Sequence, residues 1–199
     1  MRIHLIPCSD PYSRKHHKDT IEKLVPKNKI INFEKGNEIQ KILKDENYAC
    51  WGVTNAKNNS NFKKWEKMKT GDICLMYRDK IFFSAGKIIT RFKNKELSED
   101  LWGLNKDGLP WENMFLIDEI KKISIPINVL NNLMNYSPKF ILQGYSTYNE
   151  LISEKILAEF DLLNWNTPFY TSNCETDEEK NLRIKEQLKS IHQTDSLNN

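Results

Sequence analysis

The sequence predicts an α+β domain, and three observations predict it. Gly71-Asp72 leads into an apolar run, Ile73–Tyr77, and Arg78-Asp79-Lys80 turns it back into Ile81–Ile89, which reads as a β-hairpin. Two further strand candidates, Tyr48–Val53 and Trp111–Ile117, are rich in aromatic and β-branched residues. Between and after them lie stretches with helical spacing, such as Ile39, Ile42 and Leu43 at i, i+3 and i+4.

In chain order, residues 2–6 read as a first strand, broken by Ser9-Asp10-Pro11. Thr20–Val25 reads as a helical turn ended by Pro26, and Ile30–Phe33 as a short strand. A helix is expected over Gly36–Asn47, then the strand Tyr48–Val53, an Asn-rich loop over Asn55–Asn61, and a short helix over Asn61–Met68. After the hairpin, Phe92–Gly108 reads as a charged loop carrying Leu101-Trp102-Gly103. The strand Trp111–Ile117 continues through Ile120–Ile125 and stops at Pro126, which cannot donate to a ladder. A short helix follows at Val129–Leu133, then an apolar run Phe140–Tyr145. Ser146 or Thr147 is expected to cap a helix reaching Phe160. Residues 175–190 are mostly charged and read as a mobile helix or linker, so the expected division is one domain over 1–170 and a polar tail over 171–199.

The 199 residues are enough to bury a sizeable core. With 39% hydrophobic and 29% charged residues and a net charge of +3, the chain permits nucleic-acid binding without demanding it. No apolar run approaches the roughly 18 residues of a membrane span, and the N-terminus has no signal-peptide pattern. A cytoplasmic location and free thiols at Cys8, Cys50, Cys74 and Cys174 are expected, since no C-x-x-C occurs. His4, His16, His17 and His192 have no metal spacing, and no nucleotide-binding, hydrolase or metalloprotease motif is present. No metal, no cofactor and no catalytic set are therefore expected.

What remains is a pattern of tryptophans. Cys50-Trp51-Gly52-Val53-Thr54-Asn55 and Leu101-Trp102-Gly103 each set Trp beside Gly, where an indole can present a flat face to a flat ligand such as a nucleobase. Trp65 and Trp165 read as packing residues, and Trp111, after Pro110, as either.

The motif order is similar to a known group. A helix, a strand ending in Trp-Gly-Val, an Asn-rich loop, a short helix, Lys69-Thr70-Gly71-Asp72, the hairpin and Leu101-Trp102-Gly103 resemble the PUA-like EVE domains and their YTH relatives. More narrowly, they resemble the modified-DNA-reading N-terminal domains of McrB-like and LlaJI-like restriction systems. The resemblance covers about residues 37–160. It implies a small, curved β-barrel flanked by helices that reads a modified, methylated base of double-stranded DNA flipped into an aromatic cage. It implies a base-binding set of Trp51, Trp102, Tyr77, Asn47, Asn59 and Ser84, and phosphate contacts from Lys57, Lys63, Lys64, Arg78 and Lys80. Nuclease or AAA+ activity would lie elsewhere in the protein or on a partner. Two other readings belong to the same superfamily: a PUA-like module for modified RNA, and an ASCH-type small hydrolase, for which Lys87 or Glu112 would be nominated. Residues 1–35 do not follow from the resemblance; their basic run 14–18 reads as surface cover or as added phosphate contacts.

Overall fold

A computed structural model describes residues 1–33, 37–160 and 162. The expected tail over 171–199, with Trp165, Cys174 and His192, lies outside them. The elements run β1 (Ile3–Pro7), α1 (Pro11–His17), a π-helical turn (Lys18–Glu22), β2 (Val25–Pro26), α2 (Lys27–Phe33), α3 (Asn37–Ile42) and β3 (Asn47–Val53). A 3₁₀ turn (Lys57–Asn59), α4 (Ser60–Trp65), β4 (Ile73–Arg78), β5 (Ile81–Lys93), α5 (Lys95–Trp102) and β6 (Asn113–Pro126) follow. The last described elements are α6 (Ile127–Leu133), β7 (Ser146–Thr147) and α7 (Glu150–Glu159).

The strands form a seven-stranded mixed sheet in the order β2-β3-β6-β5-β4-β1-β7. The pair β1·β4 is parallel and every other pair antiparallel. The α+β class expected from the sequence is found, with helices flanking the sheet. The sheet stays open, with β2 and β7 at its edges. Its long strands β5 and β6 slip register at three places, and β4·β5 at one. Such bulges bend strands and increase their twist. They let β5 and β6 serve three apolar clusters in succession: Phe82, Ile123 and Ile125 in one, Ile88, Phe115 and Ile117 in the next, and Phe92, Met114 and Leu116 in the third. Gly86 allows a close approach of β5 to β6, since a Cβ there would strike Ile117.

Several elements differ from expectation. Ile30–Phe33 is helix, not strand: a four-residue apolar run has no readable period, and Ile30 is buried while Phe33 packs partly against the same cluster, an i, i+3 face. Lys95–Trp102 is helix, not loop, capped by Asn94, whose side chain accepts from the Leu97 N–H. The Ser9-Asp10-Pro11 break is a helix start, with Asp10 as N-cap and Pro11 at the first helical position. Asn149 caps α7, not Ser146 or Thr147, which instead pair with β1.

Candidate functional site

Trp51 lies on β3, and its neighbour Gly52 pairs with Met114 on β6. Gly52 has to be glycine: a Cβ would meet the Trp111 carbonyl and come within 2.7 Å of Trp102 Cζ3. The two indoles are thus brought to the same short stretch of strand. Over this stretch lies α1. The Thr20 hydroxyl, in the π-helical turn, donates to the Cys50 carbonyl at 2.7 Å and fastens the unit to β3.

This docking places His16 at the centre of an aromatic cluster. Its ring stacks on Trp102 (5.2 Å between centroids, 26° between planes) and meets Trp111 edge-on (4.3 Å, 88°) and Trp51 edge-on (6.2 Å, 68°). Burial holds the imidazole down to about 4, so it is neutral at pH 7. In front of His16 opens a cavity of about 190 Å³, walled by Trp51, Trp111, Tyr145 and His16 and edged by Asp10 and Asn61. Trp102 stands behind His16 and does not line the cavity.

Asp10 at the edge and Tyr145 in the wall are fixed by hydrogen bonds. The Asp10 carboxylate accepts from the Tyr12 and Ser13 N–H groups and from the Ser13 hydroxyl at 2.6 Å. Partial burial alone would raise its pKa, but these donors outweigh it and hold the carboxyl below its usual range. It therefore meets a ligand as an acceptor only. The Tyr145 hydroxyl is 2.8 Å from His4 Nδ1, and His4 Nε2 is 3.1 Å from Asp72, which also accepts from the Arg2 and Lys69 N–H groups. These bonds keep Asp72 ionised against its burial, so His4 Nε2 donates to its carboxylate. Lys64 Nζ donates to the Tyr145 carbonyl at 2.7 Å. At the end of β3, Asn113 donates to the Val53 carbonyl and to Asn55, and Asn55 donates to Glu112.

Of the residues expected at a base pocket, Trp51 lines this cavity. Trp102 touches the same cluster one layer deeper. Tyr77 is buried in a different cluster, its ring 5.1 Å from Phe82. Asn47 is exposed at the far end of β3, beside Pro26. Asn59 is exposed on the 3₁₀ turn, two residues before Asn61. Ser84 lines a separate hollow of about 460 Å³ with His17, Arg78, Phe83 and Lys122. Among the cations, Lys57 and Lys63 are exposed near Asn61, and Lys64 is committed to Tyr145. Arg78 lies over the Phe83 ring at 4.6 Å, and Lys80 is in the hairpin turn. Lys87 pairs with Glu119 at 3.6 Å and Glu112 with Lys93 at 3.1 Å, so these two nominees do not converge.

Sequence reasoning missed Asp10, Ser13, His16 and Tyr145. The N-cap and first-turn proline at Asp10-Pro11 were a readable helix start. Nothing in the sequence tells that this helix would lie over β3. Among the described residues, no group of three or more His, Cys, Asp or Glu could hold a metal ion, and no helix is long and apolar enough to cross a membrane.

No protein-family model and no curated protein sequence matches the chain. Solved structures do. The YTH domain of Pho92, in complex with m6A, superposes with a TM-score of 0.47 at 10% identity, covering 85% of this chain and 89% of that one. The N-terminal domain of Thermococcus gammatolerans McrB, bound to m5C DNA, superposes with a TM-score of 0.59 at 14% identity, covering 82% of this chain and 99% of that one. The chain therefore shares the fold of that McrB domain, over nearly the whole of the domain's length.

Proposed function

We propose that the chain is a reader of a modified base in double-stranded DNA, taken extrahelical into the cavity between Trp51, Trp111 and His16. The observation that carries this is the cavity itself: aromatic walls around a space with an ionised acceptor on its edge. Stacking a base on an aromatic side chain is worth about 1–3 kcal/mol, and extruding the base costs a few kcal/mol, so more than one wall is needed to repay it. The volume points to a single ring. An engineered cavity of about 150 Å³ takes benzene, and about 190 Å³ leaves room for ring substituents. A carboxylate is the group that accepts from the exocyclic amine of cytosine. A modified cytosine suits both features, and a methyl group would gain from an apolar wall. The likeness in fold to a McrB domain bound to m5C DNA supports the same reading. In this reading the chain is a targeting module of a modification-dependent restriction system. It is not itself an enzyme, and cleavage and nucleotide hydrolysis belong to another domain or subunit.

The test is equilibrium binding at one stated salt concentration, with duplexes that differ only in one methylated cytosine. The wild-type chain should prefer the modified duplex. Trp111→Ala, at a half-buried wall, should lose tenfold or more of that preference and keep its circular dichroism. Trp51→Phe should lose less, because a smaller aromatic face remains. Equal affinity of the wild-type chain for the two duplexes refutes the proposal. Tighter binding to methylated single-stranded RNA than to either duplex would move the reading to modified RNA.

A further inference from the structure

Beside the cavity mouth the surface is apolar where a solvated face would be polar. Tyr12, the residue before Ser13 on α1, is 44% exposed, and its ring lies 6.0 Å from that of Trp111. Two residues before Trp111 stands Leu109, 43% exposed, and at the other end of the same loop Leu104, 47% exposed. Single exposed leucines are ordinary. These two are unusual in being held by a loop closed on itself. Asn105 N–H donates to the Leu109 carbonyl at 3.0 Å, and Gly108 N–H to the Asn105 carbonyl at 3.0 Å. The Asn105 side-chain oxygen accepts from the Asp107 and Leu109 N–H groups at 2.9 and 2.8 Å. Gly103 and Gly108, with φ of 73° and 72°, supply the left-handed turns at the start of the loop and before Leu109. A loop fixed in this way holds its leucines out into solvent at no further ordering cost.

A base drawn out of a duplex leaves a gap in the stack. Proteins that distort duplexes commonly fill or open such gaps with apolar side chains inserted between base steps. The filler has to stand next to the pocket that takes the base, be exposed before binding, and be held rigid. Tyr12 lies ring to ring with Trp111, a wall of the cavity, on a capped helix start, and Leu109 stands two residues before that wall in a hydrogen-bonded loop; both are exposed. We propose that Tyr12 and Leu109 form the wedge that enters the duplex and occupies the place of the extruded base. This rests on the reading of the cavity as a base site.

The experiment compares the wild-type chain with Tyr12→Ala, Leu109→Ala and the double variant. Each is bound to one methylcytosine-containing sequence in three forms: fully paired duplex, duplex with an abasic site opposite the methylcytosine, and the single strand alone. A wedge pays only where a base must be unstacked from a pair. The double variant should lose tenfold or more in affinity for the paired duplex, less for the duplex with the abasic site, and within twofold for the single strand. Both side chains are exposed, and unchanged thermal melting of the variants will establish that the fold is intact. Equal losses on all three forms, or no loss on the paired duplex, overturn the wedge. If the wild-type chain shows no preference for methylcytosine in any form, the base reading itself fails. A wild-type preference without a duplex-specific loss leaves the base reading standing and removes the wedge alone. An apolar rim that instead serves a protein partner gives that last result.

Discussion

His16 carries the most consequence of any single residue. A neutral imidazole packs against three indoles as an aromatic ring, whereas an imidazolium there would have to be desolvated. Its pKa is held down to about 4 by burial, against about 6.5 in an unfolded chain. Between those two values the unfolded chain binds a proton that the folded chain refuses, so stability rises with pH from about 4 to about 6.5 and is level above. His17, also lowered by burial, acts in the same direction. Asp10 and Asp72 act in a different window: their depressed values give stability that is present above the ordinary carboxylate range and lost as pH falls through their folded values. The melting temperature of the wild-type chain should therefore climb between pH 4 and 6.5. That of His16→Phe, which keeps the ring and removes the proton, should climb less. Identical slopes would mean that His16 is not buried as a neutral base. None of this was legible beforehand, because adjacent histidines in a basic run look like solvated surface. Trp51 beside Gly52 was legible as a flat face at the site, but not what the glycine does there, which is to admit the Trp111 carbonyl and the Trp102 ring.

At the level of elements, the site depends on how α1 and its π-helical turn are seated on the sheet. Among the described residues, the buried side-chain hydrogen bond from this unit to the strand comes from the Thr20 hydroxyl. A hydroxyl donates a single proton, and the shorter of its two contacts is to the Cys50 carbonyl at 2.7 Å. Thr20→Val keeps the shape and leaves that carbonyl without this donor. It should cost about 1–3 kcal/mol of unfolding free energy, the price of an unmet buried acceptor. It should also weaken binding of the modified duplex more than of the unmodified one, because His16 and Asp10 ride on the same unit. Chemical denaturation and the binding assay read the two effects separately, and a stability loss with unchanged preference would mean that α1 does not position the cavity. Long alternating or apolar stretches such as β4, β5 and β6 were readable because their period and turns agree. Short ones were not: Ile30–Phe33 could serve a helix or a strand, and only the cluster of Val25, Tyr48 and Leu43 that receives Ile30 decides it. The helix at Lys95–Trp102 was hidden by its charges, although Asn94 and the apolar Leu97, Leu101 and Trp102 carried its cap and face.

For the whole molecule, the strand order decides which distant segments meet at the cavity. The parallel pairing of β1 with β4 brings the first strand into the sheet between β4 and β7, and this long-range pairing has no local sequence signature. It is why the expected core, counted from residue 37, left out His16 among the cavity's walls, with Asp10 and Ser13 on its lining. The same topology divides the cations. Lys57 and Lys63 are exposed on either side of Asn61 in the sequence, and Asn61 edges the cavity, while Arg78 and Lys80 sit at the hairpin turn, where Arg78 lies over Phe83 beside the second hollow. Duplex DNA that crosses the cavity mouth over Asn61 meets the first pair beside the extruded base. Each neutralised phosphate contributes about 0.9 to the slope of log affinity against log salt. Lys57→Ala with Lys63→Ala should therefore flatten that slope by about 1–2 for modified and unmodified duplex alike, and leave the ratio of the two affinities unchanged. Arg78→Ala with Lys80→Ala should leave both the slope and the ratio as they are. Salt titrations of the two double variants check this directly. A flattened slope with the second pair and an unchanged one with the first would place the DNA along the hairpin end of the sheet, away from Trp51, Trp111 and His16.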